Sequence, residues 1–440
     1  MARTLLVSIN ERRVGELREV DALWSFTYDP GWQAAPDGFD LSPALPRVSP
    51  VHVDGATRRP VQWYFDNLLP EEALRGVIAA ESGLPADDAW ALLAWLGAES
   101  AGSLVLRPDG DGQPLPAGLR PLIEADLSAR IARLPQASLS REAAKHMSLA
   151  GAQHKMLLVH QDGLWFEPLP GTPSTHILKP DHPDGDYPAS VVNELATMRL
   201  ARAVGLDVPR VAQARVPEPV YLVERFDRVR AGPAADVQRL HLIDACQLLD
   251  KPRLAKYSAA TVTTLAEAAG ACRQKAAARM GLYRWLVFNL LVGNGDNHLK
   301  NISFRVDADG VRLAPAYDLL CTAVYETRAL ADERARWPAT ALALPVGQAR
   351  RFGAVTRDDL VEAADTLGLS AATARREADR LIDAVQAVIG PLHAALEAES
   401  AALATASREP SQARLRLAGE GRVLAAVRHV VVAEMAQRLR

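Results

Sequence analysis

The chain has 440 residues, more than a single hydrophobic core usually serves, so two or more lobes are expected. Its 49% hydrophobic and 23% charged residues are typical of a globular protein and exclude a disordered chain. The net charge of -3 excludes a global basic field, so any contact with DNA must come from a local patch. The three cysteines form no CxxC pair and no metal-ligand spacing, which suits a reducing cytoplasm.

Neither the N-terminal segment nor the longest apolar stretch has the pattern of an export signal or a membrane-spanning helix. The first residues, MARTLLVSINERR, lack a long apolar core and a small-residue cleavage site. The longest apolar stretch, residues 282–293, contains Arg284 and Asn289 and is too short to cross a bilayer, which indicates a buried helix. We therefore expect a cytoplasmic protein that makes no contact with a membrane.

Residues 1–125 are predicted to form a small N-terminal α+β subdomain. Residues 7–17 (VSINERRVGEL) alternate in polarity around a turn near Asn10, which predicts a hairpin, and residues 24–28 (WSFTY) predict another strand. Residues 65–80 have helical periodicity with acidic residues in the early turns, where they favour the positive end of a helix. One helix is therefore expected over that range.

Residues 126–230 are predicted to be rich in strands, and residues 231–440 are predicted to be mostly helical. The expected elements of the first region are strands at 155–160, 164–167, 175–180 and 221–228 and a helix at 190–204. The second region contains Ala-rich amphipathic stretches at 355–400 and 412–440. A strand-rich lobe followed by a helical lobe is the general layout of protein kinases, although a layout alone does not establish function.

The segment 295–301 (GDNHLKN), directly after the apolar helix, carries the strongest chemical signal. Asp296 and Asn301 have the D-x-x-x-x-N spacing of kinase catalytic loops, in which a carboxylate accepts the hydroxyl proton and a nearby amide oxygen binds Mg²⁺. Lys300 can neutralise charge on the transferred phosphoryl group. The alternative is a polar loop that caps helices.

Asp318 stands between apolar residues in the segment 313–320 (LAPAYDLL), where a strand followed by a turn is expected. A carboxylate is costly to bury without a partner, and a second Mg²⁺ ligand downstream of the catalytic loop accounts for it. The alternative is a solvated aspartate that begins a turn. The segment 295–301 upstream favours the metal role.

Two further features stand earlier in the chain, in the order that kinases have them. The small residues of 148–155 (SLAGAQHK) allow backbone N–H groups to approach a polyphosphate, with Lys155 as an added positive charge, although this is no Walker A sequence and a plain loop is the alternative. Lys179 ends a predicted strand, from which it can reach phosphates. Glu194 lies in the apolar stripe of its helix and needs a cation, so we expect a Lys179–Glu194 pair; two surface charges are the alternative.

These motifs resemble those of the HipA family of toxin kinases. The similar segments are SLAGAQHKMLL, THILKP, NELATMRLARAVGLDVP, YLVERFDR, LLVGNGDNHLKNISF, APAYDLL, VSINERRVGEL and WYFDNLLPEEALR. The resemblance covers nearly the whole chain and is weaker at 107–145, 230–280 and beyond about 355. It implies a two-lobed, protein-kinase-like α/β (α+β) fold with a small N-terminal subdomain and a mostly helical C-terminal lobe.

The resemblance also implies the roles of individual residues. Asp296 would be the catalytic base assisted by Lys300, Asn301 and Asp318 would bind Mg²⁺, and Ser148 would be an autophosphorylation site that switches the kinase off. The implied ATP-binding residues are Ala150, Gly151, Ala152, Gln153, His154, Lys155, Lys179, Glu224, Arg225, Phe226, His298, Asn301, Tyr317 and Asp318, with Glu224, Arg225 and Phe226 as the hinge against adenine. His154 and Met156 replace an acidic residue and a threonine that the family pattern leads one to expect.

The partners implied by the resemblance are a protein substrate, an antitoxin and DNA. HipA toxins phosphorylate aminoacyl-tRNA synthetases and are neutralised by a small helix-turn-helix antitoxin (HipB-like), and the pair represses its own promoter. Arg350 and Arg351 can contact the phosphate backbone of operator DNA in such a complex, or they are ordinary solvated surface residues. The rival functions are a small-molecule phosphotransferase and a catalytically silent module of a DNA-bound repressor complex.

Overall fold

The computed structural model describes residues 2–110, 115–147, 151, 153–230, 236–407 and 409–440. Its strands are β1 (Arg3–Ile9), β2 (Arg12–Val20), β3 (Leu23–Tyr28), β4 (Val51–Val53), β5 (Leu104–Pro108), β6 (Leu119–Pro121), β7 (Met156–Gln161), β8 (Leu164–Pro168), β9 (His176–Pro180), β10 (Val211–Arg215), β11 (Pro219–Glu224), β12 (Arg228–Arg230), β13 (Val237–Arg239), β14 (Leu242–Asp244), β15 (Ser303–Asp307), β16 (Gly310–Leu313), β17 (Ala341–Val346) and β18 (Ala349–Arg351).

The α-helices are α1 (Pro30–Ala34), α2 (Pro60–Asp66), α3 (Glu72–Ser82), α4 (Ala89–Leu96), α5 (Glu124–Ile131), α6 (Ser190–Ala203), α7 (Ala245–Leu248), α8 (Val262–Ala271), α9 (Lys275–Leu291), α10 (Arg328–Ala331), α11 (Arg357–Thr366), α12 (Ala371–Ala406), α13 (Pro410–Ala426) and α14 (Ala433–Arg438). A π-helical segment, Val427–Val432, joins α13 to α14.

The chain folds into two compact units, and each unit is built from separate stretches of sequence. Unit 1 contains Met1–Leu178, Glu224–Lys256 and Ser303–Ala314, and unit 2 contains Lys179–Val223, Tyr257–Ile302 and Pro315–Arg440. The three-part division predicted from sequence, with boundaries near residues 125 and 230, stays a prediction.

The N-terminal part of unit 1 is an antiparallel sheet with the strand order β4-β3-β2-β1-β5. The predicted hairpin is confirmed: Ile9 faces Arg12, and Asn10 and Glu11 form the turn with φ of 46° and 67°. Asn tolerates this left-handed conformation better than most residues do, which explains why the chain reverses there. β3 confirms the strand predicted at residues 24–28.

The single helix predicted at residues 65–80 is wrong, because the chain breaks there into two helices. α2 ends at Asp66 and α3 begins at Glu72. Pro70 lies between them, and a proline removes a backbone donor and disfavours helical geometry in the residue before it. Both helices still bury apolar residues in unit 1, among them Phe65 of α2 and Leu74 of α3.

The remaining strands of unit 1 form small antiparallel sheets. β7 pairs with β8 and with β9, β8 also pairs with β6, and β15 pairs with β14 and β16. The expectation of a mostly helical chain beyond residue 230 is therefore incomplete, because β13 to β18 lie in that range. The strand predicted at 221–228 is also too long, since β11 ends at Glu224 and β12 begins at Arg228.

Unit 2 is built around α12, a helix of 36 residues that packs against α6, α9, α11 and α13. By length and composition α12 is long and apolar enough to cross a membrane. Its apolar side chains, among them Leu381, Val385 and Leu396, are buried inside the unit. This burial is that of a core helix in a globular protein.

Candidate active site

The segment 293–301 of unit 2 begins where α9 ends, and it turns sharply at Gly293. The φ of Gly293 is +67°, and a Cβ atom there would lie 2.5 Å from Cγ1 of Val431, so only glycine fits. Asn289, buried in the apolar helix α9, accepts a hydrogen bond from Asn294 (2.7 Å, Nδ2 to Oδ1). The helix therefore fixes the start of the loop through one polar side chain.

Asp296 has a backbone held on both sides and a carboxylate that reaches solvent. Its N–H donates to Asn294 Oδ1 (3.0 Å), and its carbonyl oxygen accepts from Nδ2 of Asn301 (2.9 Å). Its side chain is 46% exposed. The carboxylate accepts a hydrogen bond from the hydroxyl of Tyr257 (2.5 Å), and Nε2 of His298 lies 3.9 Å from it.

The loop is tied to the segment of Asp318 by a tyrosine. Tyr317 donates its hydroxyl to the carbonyl oxygen of Lys300 (2.7 Å), and both Lys300 and Asn301 are buried. The structure therefore brings the predicted catalytic and metal-binding segments of unit 2 into direct contact. β16 ends at Leu313, so the segment of Asp318 is an irregular stretch rather than the expected strand.

Asp318 contacts Lys179, which also forms the expected ion pair with Glu194. Lys179 donates to Glu194 Oε1 (2.8 Å) and also to Asp318 Oδ1. Burial alone would lower the pKa of Lys179, but the carboxylates of Asp318 and Glu194 outweigh it and raise that pKa above its usual value. Lys179 is therefore a fixed positive charge, and it lies between a buried carboxylate and one whose side chain is 31% exposed.

The backbone of Asp318 is held in an unusual conformation by α6. Its φ is +58°, in the left-handed region that non-glycine residues rarely adopt and that aspartate tolerates better than most of them. Asn193, which precedes Glu194 on α6, donates to the carbonyl oxygen of Cys321 and accepts from its N–H, both at 2.9 Å. One helix thus supplies the partner of Lys179 and fixes the segment that follows Asp318.

Three residues of unit 2 escaped the sequence analysis, namely Tyr257, Asn193 and Asn289. Asn289 and Asn193 had a usable signal, because each is a buried polar residue in a helix: Asn193 adjoins Glu194, and Asn289 lies near the end of the helix that leads into the loop of Asp296. Tyr257 had no such signal, since 39 residues separate it from Asp296.

The predicted nucleotide loop lies in unit 1, and Ser148, Ala150 and Ala152 fall outside the described residues. Gly151 has a φ of +107°, and a Cβ atom there would lie 2.7 Å from Nζ of Lys155. The backbone at Gly151 thus passes close to the head of that lysine. Gln153 is half-buried and His154 is buried just before β7.

The predicted hinge residues behave differently from one another. Glu224 is exposed and Phe226 is half-buried, whereas the Arg225 side chain turns into the interior of unit 1. Its guanidinium donates to Asp227 (2.6 Å, Nη2 to Oδ2) and to Glu99 (3.2 Å, Nη1 to Oε1). The Arg225 side chain therefore anchors the predicted hinge segment to the interior of unit 1. The backbone N–H of Arg225 also donates to the carbonyl oxygen of Thr175 (2.9 Å).

Arg225 belongs to a buried group of charges, here named the Glu99 cluster. Its members are Glu99, Asp227, Lys145, Arg225, Arg228 and Arg239. Burial alone would raise the pKa of Glu99, but the surrounding cations hold that pKa well below its usual value. Burial lowers the pKa of Lys145 to about 8, although Glu99 works in the opposite direction.

Arg350 and Arg351 lie on the short strand β18 of unit 2 and are exposed. The described contacts of Arg350 are to the carbonyl oxygens of Gly347 and Ala349, both at 3.2 Å. The geometry leaves both guanidinium groups at the surface, which suits either of the alternatives that the sequence left open.

Comparison with known families places this geometry in context. A family model described as the HipA-like C-terminal domain matches residues 147–389, and one described as the HipA N-terminal domain matches residues 5–107. "Putative kinase Y4mE" of Sinorhizobium fredii is 38% identical over 316 residues, which are 68% of this chain and 72% of that protein. "Serine/threonine-protein kinase toxin HipA" of Shewanella oneidensis is 31% identical over 344 residues, or 73% and 76% of the two chains.

A solved structure agrees with these sequence matches. It is the complex of HipA, HipB and operator DNA of the Shewanella oneidensis toxin–antitoxin system. The matching chain of that complex has a TM-score of 0.76 and 26% sequence identity, and the match covers 98% of this chain and 99% of that chain. The fold is thus a two-lobed, kinase-like mixture of helix and sheet, as the sequence predicted. The chain belongs to the HipA family, and the resemblance found from its motifs is confirmed.

Proposed function

We propose that this chain is an ATP- and Mg²⁺-dependent protein serine kinase that acts as the toxin of a toxin–antitoxin pair. One observation carries the proposal: a continuous set of contacts in unit 2 joins the predicted base to the predicted phosphate-binding lysine. It runs from Asp296 through the backbone of Lys300 and Asn301 to Tyr317, and from the neighbouring Asp318 to Lys179. A merely structural loop needs no such combination.

In the proposed reaction, Asp296 accepts the hydroxyl proton of the acceptor serine. The serine oxygen then forms a bond to the γ-phosphorus of ATP. The bond between that phosphorus and the bridging oxygen breaks, and ADP leaves. A base must contact its substrate, and the Asp296 side chain is 46% exposed at the surface of unit 2. Lys179 serves as a fixed cation for the phosphates, because Glu194 and Asp318 keep it protonated.

Asn301 and Asp318 fit the role of Mg²⁺ ligands. The side-chain nitrogen of Asn301 donates to the carbonyl oxygen of Asp296, so the side-chain oxygen of Asn301 is the atom that would bind a cation. Asp318 would supply a carboxylate oxygen, a ligand type that Mg²⁺ prefers. Among the described residues, no group of three or more His, Cys, Asp or Glu side chains is placed to hold a metal ion, so the remaining ligands would come from phosphate and water. When bound, Mg²⁺ neutralises the charge that develops on the phosphoryl oxygens.

The proposed biological substrate is an aminoacyl-tRNA synthetase, and the proposed regulator is a small HipB-like helix-turn-helix antitoxin that carries the chain to operator DNA. The antitoxin and DNA proposals are supported by the relative named as a serine/threonine-protein kinase toxin and by the solved complex of HipA with HipB and operator DNA. The synthetase is proposed from the resemblance to HipA toxins alone. We further propose that Ser148 is autophosphorylated and that its phosphate, with roughly two negative charges, opposes ATP binding.

The experiment incubates the purified chain with γ-labelled ATP, Mg²⁺ and a bacterial lysate, with the Asp296→Asn chain as the control. Labelled phosphoserine in a synthetase, and at Ser148 of the chain itself, is the expected result. A label found only in small molecules would support the phosphotransferase alternative. Absence of any Asp296-dependent label would overturn the proposal and leave the silent repressor module.

A further inference from the structure

A tyrosine hydroxyl lies on the carboxylate that the proposed function assigns as the catalytic base. The hydroxyl of Tyr257 donates to Oδ1 of Asp296 at 2.5 Å, within one compact unit of the chain. A general base must hold the hydroxyl of its acceptor within about 2.6–3.2 Å, so Tyr257 makes the contact that an acceptor serine has to make. The two hydroxyl groups therefore compete for the same carboxylate.

The loop does not depend on this contact for its shape. Asn294 and Asn301 hold the backbone of Asp296 through its N–H and its carbonyl oxygen, and the Asp296 carboxylate is 46% exposed. Loss of the Tyr257 hydroxyl would therefore leave the loop in place.

The Tyr257 side chain is placed so that it can leave. It is 43% exposed, and its ring contacts the edge of the His298 ring at 4.9 Å between centroids. Its carbonyl oxygen accepts from the N–H of Ala260 (3.0 Å), which holds the backbone in a turn just before α8. Rotation of this side chain would break its contact with the carboxylate, and rotamer changes of exposed side chains are fast compared with catalysis.

We propose that Tyr257 caps the catalytic base and that an acceptor enters only when the Tyr257 side chain swings away. This inference rests on the proposed kinase function and adds to it a residue that controls acceptor affinity. The cap competes with the acceptor and leaves the chemical step unchanged. Removing the hydroxyl should therefore lower KM for the acceptor and leave kcat and the affinity for ATP unchanged.

The test compares Tyr257→Phe with wild type and with the matched control Tyr187→Phe. Tyr187 is also 43% exposed and lies in the same unit, where its ring contacts His182 and Tyr325. The acceptor is a degenerate peptide library with one central serine, supplied with Mg-ATP. For Tyr257→Phe we expect a KM lower by roughly threefold to tenfold, the range of one modest hydrogen bond, with kcat within about twofold and no change in the control.

A second measurement is independent of kinase activity. With ¹³C-labelled tyrosine, the Cζ resonance of Tyr257 should move in Asp296→Ala, whereas that of Tyr187 should stay. An unmoved Tyr257 resonance would overturn the proposal that Tyr257 caps Asp296. A Tyr257→Phe enzyme with lower kcat and unchanged KM would also overturn it, and would make Tyr257 a positioning residue. If wild type labels no serine in the library or in a lysate, both the proposed function and this inference are wrong. If wild type and Tyr257→Phe label serine with equal KM, only this inference is wrong.

Discussion

At the scale of single residues, the role of Asp296 can be separated from its place in the fold. Asp296→Asn retains the shape of the side chain and the two backbone hydrogen bonds of the loop, but an amide cannot accept the serine proton. We expect kcat to fall by at least about 100-fold, with unchanged thermal stability and ATP affinity. Steady-state kinetics and calorimetry measure these quantities, and activity within about tenfold of wild type would remove Asp296 from the role of base.

Asp318 allows a test of the metal assignment with a predictable sign. Asp318→Ala removes a proposed Mg²⁺ ligand, so the Kd for Mg-ATP should rise at least about tenfold. The same change frees Lys179 from one carboxylate, so the affinity for ATP without Mg²⁺ should not fall. Calorimetry with and without Mg²⁺ distinguishes the two effects. The control is Asp186→Ala, which removes an exposed carboxylate paired with Arg334 in the same unit.

The metal assignment would be wrong if Asp318→Ala bound Mg-ATP as tightly as the control. Asn301→Ala provides an independent check, because its oxygen is the other proposed ligand. Loss of affinity in one variant alone would reduce the site to a single protein ligand.

The sequence identified these residues because kinase chemistry requires particular side chains at particular spacings along one segment. It identified Asp296 and Asn301 by their separation of five positions, and it paired Lys179 with Glu194 because a buried carboxylate needs a cation. It did not identify the contact of Tyr257 with Asp296. The two residues are 39 positions apart, with α8 and α9 between them, and no local pattern encodes how those helices bring them together.

At the scale of elements, the Glu99 cluster fixes the chain at β11 and β12. Glu99 is fully buried and contacts the side chains of Arg225 and Arg228, which flank the turn between these strands. Glu99→Gln retains the size of the side chain but leaves the buried cations without their shared carboxylate. We expect the free energy of unfolding to fall by about 3–5 kcal/mol, as when one partner of a buried ion pair is removed.

Chemical denaturation of Glu99→Gln checks this expectation against Glu142→Gln. Glu142 pairs with Arg133 at the surface of the same unit, so its loss should change stability little. Equal stability of the two variants would mean that solvent reaches the Glu99 cluster. Because Arg225 belongs to the predicted hinge, Glu99→Gln should also weaken ATP binding, whereas Glu142→Gln should not.

Element boundaries were predictable where turn chemistry is local. The hairpin at Asn10 and the strand at 24–28 follow from alternation and a turn residue, and the structure has both. The break at Pro70 was readable from the same chemistry, but helical periodicity on both sides of it favoured one continuous helix. The Glu99 cluster was not predictable, because Arg225 and Glu99 are 126 positions apart and each resembles an ordinary surface charge in the sequence.

At the scale of the whole molecule, the proposal that the chain is a toxin predicts an effect on cell growth, which kinase activity alone does not predict. Expression of the chain by itself in bacteria should arrest growth, and co-expression of its antitoxin should relieve the arrest. The physical reason is that a phosphoserine in the ATP site of a synthetase places roughly two negative charges where ATP must bind. Aminoacylation would then stall, and a phosphorylated synthetase should be detectable in the lysate by mass spectrometry.

The arrest must depend on phosphoryl transfer, so Asp296→Asn at equal expression should be harmless. If Tyr257 caps the base, Tyr257→Phe should arrest growth at a lower level of expression than wild type does. A harmless wild type that still transfers phosphate in vitro would end the toxin reading and leave the kinase reading in place. An Asp296→Asn chain as toxic as wild type would mean that binding, rather than chemistry, stops growth, because the variant lacks the carboxylate that accepts the serine proton.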